Sequence, residues 1–184
     1  MERVVCENEM FDADLVIVGI GIIPNSELAE KAGIACENGI TVDERCQTSI
    51  PRIYAAGDCT NHPNPLLNRR LRLESVPNAM EQARVCAANM VGKDKIYSSI
   101  PWFWSDQYEL KLQMVGFSSD GDSEVVRGDM DANQFSVFHV KENKVMAADS
   151  VNSPKDFMIC KQLIGKEVDL DKLLDESIEL KSML

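Results

Sequence analysis

The sequence lacks most of the motifs that announce a chemistry by themselves. Its six cysteines, Cys6, Cys36, Cys46, Cys59, Cys86 and Cys160, contain no Cys-x-x-Cys or Cys-x4-Cys pair, and its two histidines, His62 and His139, lie far apart. That spacing excludes a zinc or iron–sulfur ligand set and a redox-active dithiol, and it leaves free thiols in a reducing, cytoplasmic compartment as the expectation. No nucleophile elbow is present, so a hydrolase triad has nowhere to stand. The longest apolar run, residues 15–23, is too short to span a bilayer, and no charged-then-apolar leader opens the chain. Basic residues are scarce: 19 Lys and Arg face 30 Asp and Glu, for a net charge of −11. Such a surface repels phosphate backbones, which argues against nucleic acid and anionic membranes as partners. Internal repeats and low-complexity tracts are also missing.

What remains is a chain of 184 residues, 45% hydrophobic, with material for one large or two small domains. Residues 14–19 run apolar, the pattern of a strand buried on both faces of a mostly parallel sheet. Gly19-Ile20-Gly21 follows and imitates the start of a dinucleotide fingerprint. Pro24 occupies the third glycine position, where close helix–strand packing is needed, and that excludes the fingerprint. Asn25 or Ser26 is placed to cap a short helix with Leu28, Ala29 and Ala32 inward and Gly33 at its end. Asn38-Gly39 predicts a turn before a strand at residues 40–42.

A second strand is expected at residues 53–56, ending in Gly57-Asp58. A polar, proline-bearing loop then leads from Thr60 to Arg72 and on to a helix starting near Pro77, along which Met80, Ala83, Ala87, Met90 and Val91 recur at helical spacing. Gly92 closes that helix, and residues 93–100 are the best candidate boundary. Beyond it the pattern changes to short alternating strands at 110–115, 124–127, 135–140 and 145–151, an antiparallel meander. Ser153-Pro154 opens a helix with an apolar face at Phe157, Ile159, Cys160, Leu163 and Ile164, and residues 170–174 suggest one more. The fold class expected is therefore an α/β portion with a mostly parallel sheet and helices, followed by an α+β portion with an antiparallel sheet.

Three blocks carry the candidate chemistry. Gly57-Asp58 sits where a buried strand meets a loop: glycine admits a close ligand, an ionised Asp accepts hydrogen bonds from sugar-type hydroxyls, and an ordinary loop fits the same two residues. The helix beginning after Val76 offers unpaired N–H groups and a positive dipole end, as any helix start does. Trp102 and Trp104 are two apart, so in an extended segment both point to one face, able to shield a flat ring or to pack a seam.

Taken together, Thr48-Ser49-Ile50-Pro51-Arg52-Ile53-Tyr54-Ala55-Ala56-Gly57-Asp58-Cys59, residues 72–79 with Glu81-Gln82, and residues 101–108 with Lys111-Leu112-Gln113 closely resemble the flavin-dependent NAD(P)H:ferredoxin or rubredoxin reductases that serve oxygenases. The resemblance covers nearly the whole chain. It implies FAD as cofactor and NAD(P)H as substrate, Gly57 and Asp58 at the ribityl chain, Val76 offering backbone contact to the pyrimidine edge, and Trp104 beside the flavin ring. It further implies the tail of an NAD-binding domain at 1–25, the end of an FAD-binding domain at 26–98 and a dimerisation-type domain at 99–184. An iron–sulfur ferredoxin or rubredoxin is the implied partner, with a homodimer as a further option. Arg69, Arg70 and Arg72 stand out as a basic cluster able to meet an acidic partner. The family's ADP-binding glycines are absent, so the chain resembles its carboxyl-terminal part. The competing expectation is a non-catalytic interaction module without FAD.

Overall fold

The computed structural model describes residues 2–184. The ordered elements are β1 (Arg3–Val5), β2 (Met10–Asp12), α1 (Glu27–Lys31), β3 (Ile40–Thr41), β4 (Thr60–Asn64), β5 (Arg69–Leu71) and α2 (Val76–Met90). They continue with β6 (Trp102–Gln107), β7 (Leu110–Gly116), β8 (Ser123–Asp129), β9 (Gln134–Lys141), β10 (Lys144–Val151), α3 (Pro154–Leu163) and α4 (Leu170–Leu174).

The second half is a five-stranded sheet in the order β6-β7-β10-β9-β8, antiparallel throughout. Alternation places Phe138, Val140 and Val115 on the face that receives Phe157, Cys160 and Leu163 of α3, and Val168, Leu173 and Leu180 complete this core. The expected antiparallel strands are present, but only β8-β9-β10 form a meander: β7 pairs with β10 instead of β8, so the β6-β7 hairpin joins the sheet on the β10 side. Ser153 precedes α3 with Pro154 in its first turn, but the serine side chain makes no capping bond. Arg127 is buried, and its guanidinium donates to the carbonyls of Leu173, Asp175, Glu176 and Ile178, which fixes the chain after α4.

The first half differs from expectation in several places. Among the described residues one strand pair is parallel, β3 with β4, while β4 with β5 and β1 with β2 are antiparallel, so the small sheet is mixed rather than mostly parallel. Residues 14–19 form no strand, and Leu15, Ile17 and Val18 are 78%, 87% and 71% exposed. A strand read as doubly buried needs a neighbour on each edge to satisfy its amides, and none lies beside it here. Tyr54 makes only an isolated bridge to Gln47, so residues 53–56 are not a strand either. The expected loop after Thr60 instead holds β4 and β5, with Thr60, Asn61, His62 and Asn64 buried.

The Asn38-Gly39 turn forms as read, with both residues at positive φ. In α1, Ala29 is buried but Leu28 is exposed, and Ser26 bonds Glu30 Oε1 at 2.7 Å instead of capping an amide. Helix α2 starts and ends where expected, and Gly92 leaves it at φ +81. Its buried face is the reverse of the one expected. Pro77, Asn78, Gln82, Val85 and Cys86 point inward, whereas Met80, Ala83, Ala87, Met90 and Val91 face outward. Polar contacts to Gly57, Thr60 and Tyr97 hold the inward face, so hydrogen bonding decides the rotation that periodicity alone assigned to the apolar stripe.

Candidate functional site

The loop at Gly57-Asp58 is drawn onto the amino-terminal turns of α2 by three contacts. Gly57 takes φ +89, a region that glycine alone adopts without strain, and an added Cβ would stand 3.5 Å from Ala79 Cβ. Its N–H donates to Gln82 Oε1 at 2.7 Å, and its carbonyl accepts from the Thr60 N–H at 3.0 Å. Thr60 Oγ1 lies 2.8 Å from the same Gln82 oxygen. Gln82 stands in the motif block that carries the resemblance, but the sequence alone gives neither Gln82 nor Thr60 a role at the loop. The available signal was the pair Asn78 and Gln82, two amides one turn apart in the middle of a helix, where an ordinary core face carries apolar residues. Asp58 projects from this fastened loop and is exposed.

The start of α2 is organised by Ser75, whose Oγ accepts from the Asn78 N–H at 3.3 Å while its carbonyl accepts from the Ala79 N–H at 3.0 Å. Pro77 has no N–H, which leaves the Val76 amide as the helix-start donor without an intrahelical acceptor. Val76 itself is 56% exposed. Behind this turn, Tyr97 Oη donates to Asn78 Oδ1 at 2.9 Å and packs edge-on against His62 at 5.1 Å. Burial, aided by the Arg70 guanidinium, pushes the His62 pKa down to about 4, so the imidazole is neutral. Burial also pushes the Tyr97 hydroxyl up and the Cys46 thiol up to about 12.

Trp104 lies on the edge strand β6, opposite Gln113 of β7, and α2 packs beside that strand. Both tryptophans share one face, their ring centroids 5.7 Å apart. Trp102 carries the packing role, 5.8 Å from Phe157 and with Lys161 Nζ 4.0 Å from its ring centroid. Trp104 is 44% exposed and offers the free indole. The set thus contains a carboxylate for hydroxyls, a helix-start amide for an electron-rich carbonyl edge and an indole for a flat ring. This donor chemistry fits an isoalloxazine with a polyol tail.

The three arginines are engaged within the chain and form no free basic patch. Arg69 binds Asp120 through its two terminal guanidinium nitrogens, each at 2.9 Å, and stacks 5.1 Å from the Phe117 ring centroid. Arg70 donates to the carbonyls of Val42 and Asn61, and Arg72 to Asn38 Oδ1 and Glu74. Among the described residues, no helix is long and apolar enough to cross a membrane.

Residues 2–83 match the pyridine nucleotide-disulphide oxidoreductase family, and residues 102–184 match the reductase C-terminal family. Putidaredoxin reductase CamA of Pseudomonas putida is 47% identical over 184 residues, a match covering 98% of this chain and 44% of that protein. Over almost its whole length the chain is similar to such reductases. Rhodocoxin reductase of Rhodococcus erythropolis is 43% identical over 175 residues, a match covering 94% of this chain and 41% of that protein. The ferredoxin reductase for the CYP199A2 system of Rhodopseudomonas palustris superposes with a TM-score of 0.92 at 39% identity, over 98% of this chain and 46% of that structure. The chain therefore spans somewhat under half the length of the relatives it matches, and it corresponds to a carboxyl-terminal part of them.

Proposed function

We propose that this chain is the carboxyl-terminal part of an FAD-dependent reductase that takes electrons from NAD(P)H and passes them to an iron–sulfur ferredoxin or rubredoxin serving an oxygenase. The observation that carries the proposal is the fastening of the Gly57-Asp58 loop to α2, beside the helix start at Val76, in a chain similar to putidaredoxin reductase. FAD supplies the hydride and electron chemistry when bound. The protein's part is to hold it: Asp58 accepts from ribityl hydroxyls, Gly57 permits close approach, the Val76 N–H meets the pyrimidine edge, and Trp104 covers a ring face from water. On this reading residues 1–25 close an NAD-binding domain, 26–98 close an FAD-binding domain, and 99–184 form the reductase's last domain, in a cytoplasmic enzyme. The test is NADH-driven reduction of a ferredoxin by a longer polypeptide containing these residues: Asp58→Asn lowers its flavin content and turnover together. Equal flavin content in both forms would remove Asp58 from the site.

A second reading applies to the chain without cofactor. The outward stripe of α2, with Met80 50%, Met90 66% and Val91 73% exposed, and the exposed apolar residues 15–23 favour self-association, including a homodimer. Sedimentation over a range of concentrations tests it; a strictly monomeric chain contradicts it.

A further inference from the structure

We infer that Gln82 is a positioning residue, which sets the Gly57-Asp58 loop in place for its ligand through a hydrogen bond to the Gly57 amide. The inference rests on the flavin reading above and extends it to a residue outside the set that touches the cofactor.

Gln82 is fully buried in the middle of α2. An amide side chain in such a place is costly unless bonded, and an apolar residue of similar size would fill the space at lower cost. The Oε1 end is compensated by the Gly57 N–H at 2.7 Å, while Nε2 is buried with no partner among the described residues, so the residue is kept at a cost that packing alone does not explain. Without that acceptor the buried Gly57 amide has nowhere else to turn, because its loop sits at positive φ and belongs to no ladder. The Gly57 N–H, which can only donate, fixes which end of the amide faces the loop, and the Thr60 hydroxyl lies 2.8 Å from both that oxygen and the Gly57 carbonyl. Turning the amide over would set its NH2 group against the Gly57 N–H, donor against donor. Asp58 follows Gly57 in the chain, and the peptide that joins them is held in turn by the Thr60 N–H on the Gly57 carbonyl. Gln82 therefore transmits the rotation of α2 to the carboxylate, and the same helix carries Val76 at its start. One side chain couples two of the groups that the ligand must meet together.

The experiment uses the full 184-residue chain, isotopically labelled, read by amide hydrogen exchange and by FAD titration of backbone signals. Gln82→Leu removes the acceptor, Gln82→Glu keeps an oxygen in its place, and Thr60→Val removes the second tether while leaving Gln82 intact. In Gln82→Leu, Gly57 exchange rises about tenfold and the FAD concentration for half-maximal shift of Asp58 and Val76 rises about tenfold, the effect of one buried hydrogen bond. Gln82→Glu brings both back to within about threefold of the parent, and Thr60→Val falls between. Unchanged Gly57 exchange in Gln82→Leu overturns the positioning role. So does an unchanged FAD response in Gln82→Leu while the parent responds, an outcome that leaves the flavin reading standing. A parent chain whose Asp58 signal ignores FAD at every concentration removes the flavin reading, and the inference falls with it.

Discussion

Arg69 and Asp120 meet in a two-pronged ion pair, Nη1 to Oδ1 and Nη2 to Oδ2 each at 2.9 Å, which ties β5 to the turn before β8. The Asp120 side chain is 16% exposed and the Arg69 side chain 43% exposed, so solvent screens one partner more than the other. Paired geometry of this kind orients as well as attracts. A double-mutant cycle with Arg69→Gln and Asp120→Asn should give a coupling of about 1 kcal/mol in urea unfolding, weakened by salt. Additive single effects would show that the pair contributes nothing.

The rotation of α2 predicts a sharp contrast between two apolar residues of one helix. Val85 is 3% exposed and Met90 66% exposed. Val85→Ala should cost about 1–2 kcal/mol of stability and Met90→Gln under about 0.5 kcal/mol. The reverse order in thermal or urea unfolding would restore the face that apolar spacing suggests.

That contrast also marks what could be read in the sequence. Helix α2 was legible because Pro77 and Gly92 punctuate it, and the second-half strands were legible because alternation such as Val125, Arg127 and Phe138, Val140 survives in a sheet covered on one face by α3. The inward face of α2 was not, because two amides bonded to a loop and to Tyr97 outweigh an apolar stripe that finds no cover. Strand β4 was hidden for a related reason: Thr60, Asn61, His62 and Asn64 look like loop residues until their partners are known. Residues 14–19 have the composition of a buried strand but no neighbour to pair with. At the proposed site, Gly57, Asp58, Val76 and Trp104 come from the resemblance, while the bond by which Gln82 holds the loop is visible only in the fold.

His62 predicts a distinctive pH dependence. Its folded-state pKa is about 4 against an ordinary 6.5, lowered first by burial and then by Arg70. The unfolded chain therefore binds more protons between these values. Stability is full above about pH 6.5 and falls as the pH drops toward 4, by up to ~3 kcal/mol from this group. His62→Phe, which preserves an aromatic contact with Tyr97, should flatten the difference between unfolding midpoints at pH 7 and pH 4.5. Parallel curves for parent and variant would mean that His62 is protonated in the folded protein or exposed to solvent.

Arg127 should prove costly to remove, since one buried guanidinium serves the carbonyls of four residues between Leu173 and Ile178. Arg127→Met leaves these acceptors unpaired and should lower stability by about 2–4 kcal/mol. Trypsin cleavage after Lys172 or Lys181 should accelerate in step. A variant as stable and as resistant as the parent would contradict the anchoring role.

The most direct test of the flavin site is the visible spectrum of the purified chain after incubation with FAD and removal of free cofactor, run beside Asp58→Ala. Retained absorbance bands of oxidised flavin in the parent, reduced in the variant, are the predicted result. A parent that comes through colourless, or a variant that holds as much flavin as the parent, would contradict a flavin site built from Gly57, Asp58, Val76 and Trp104.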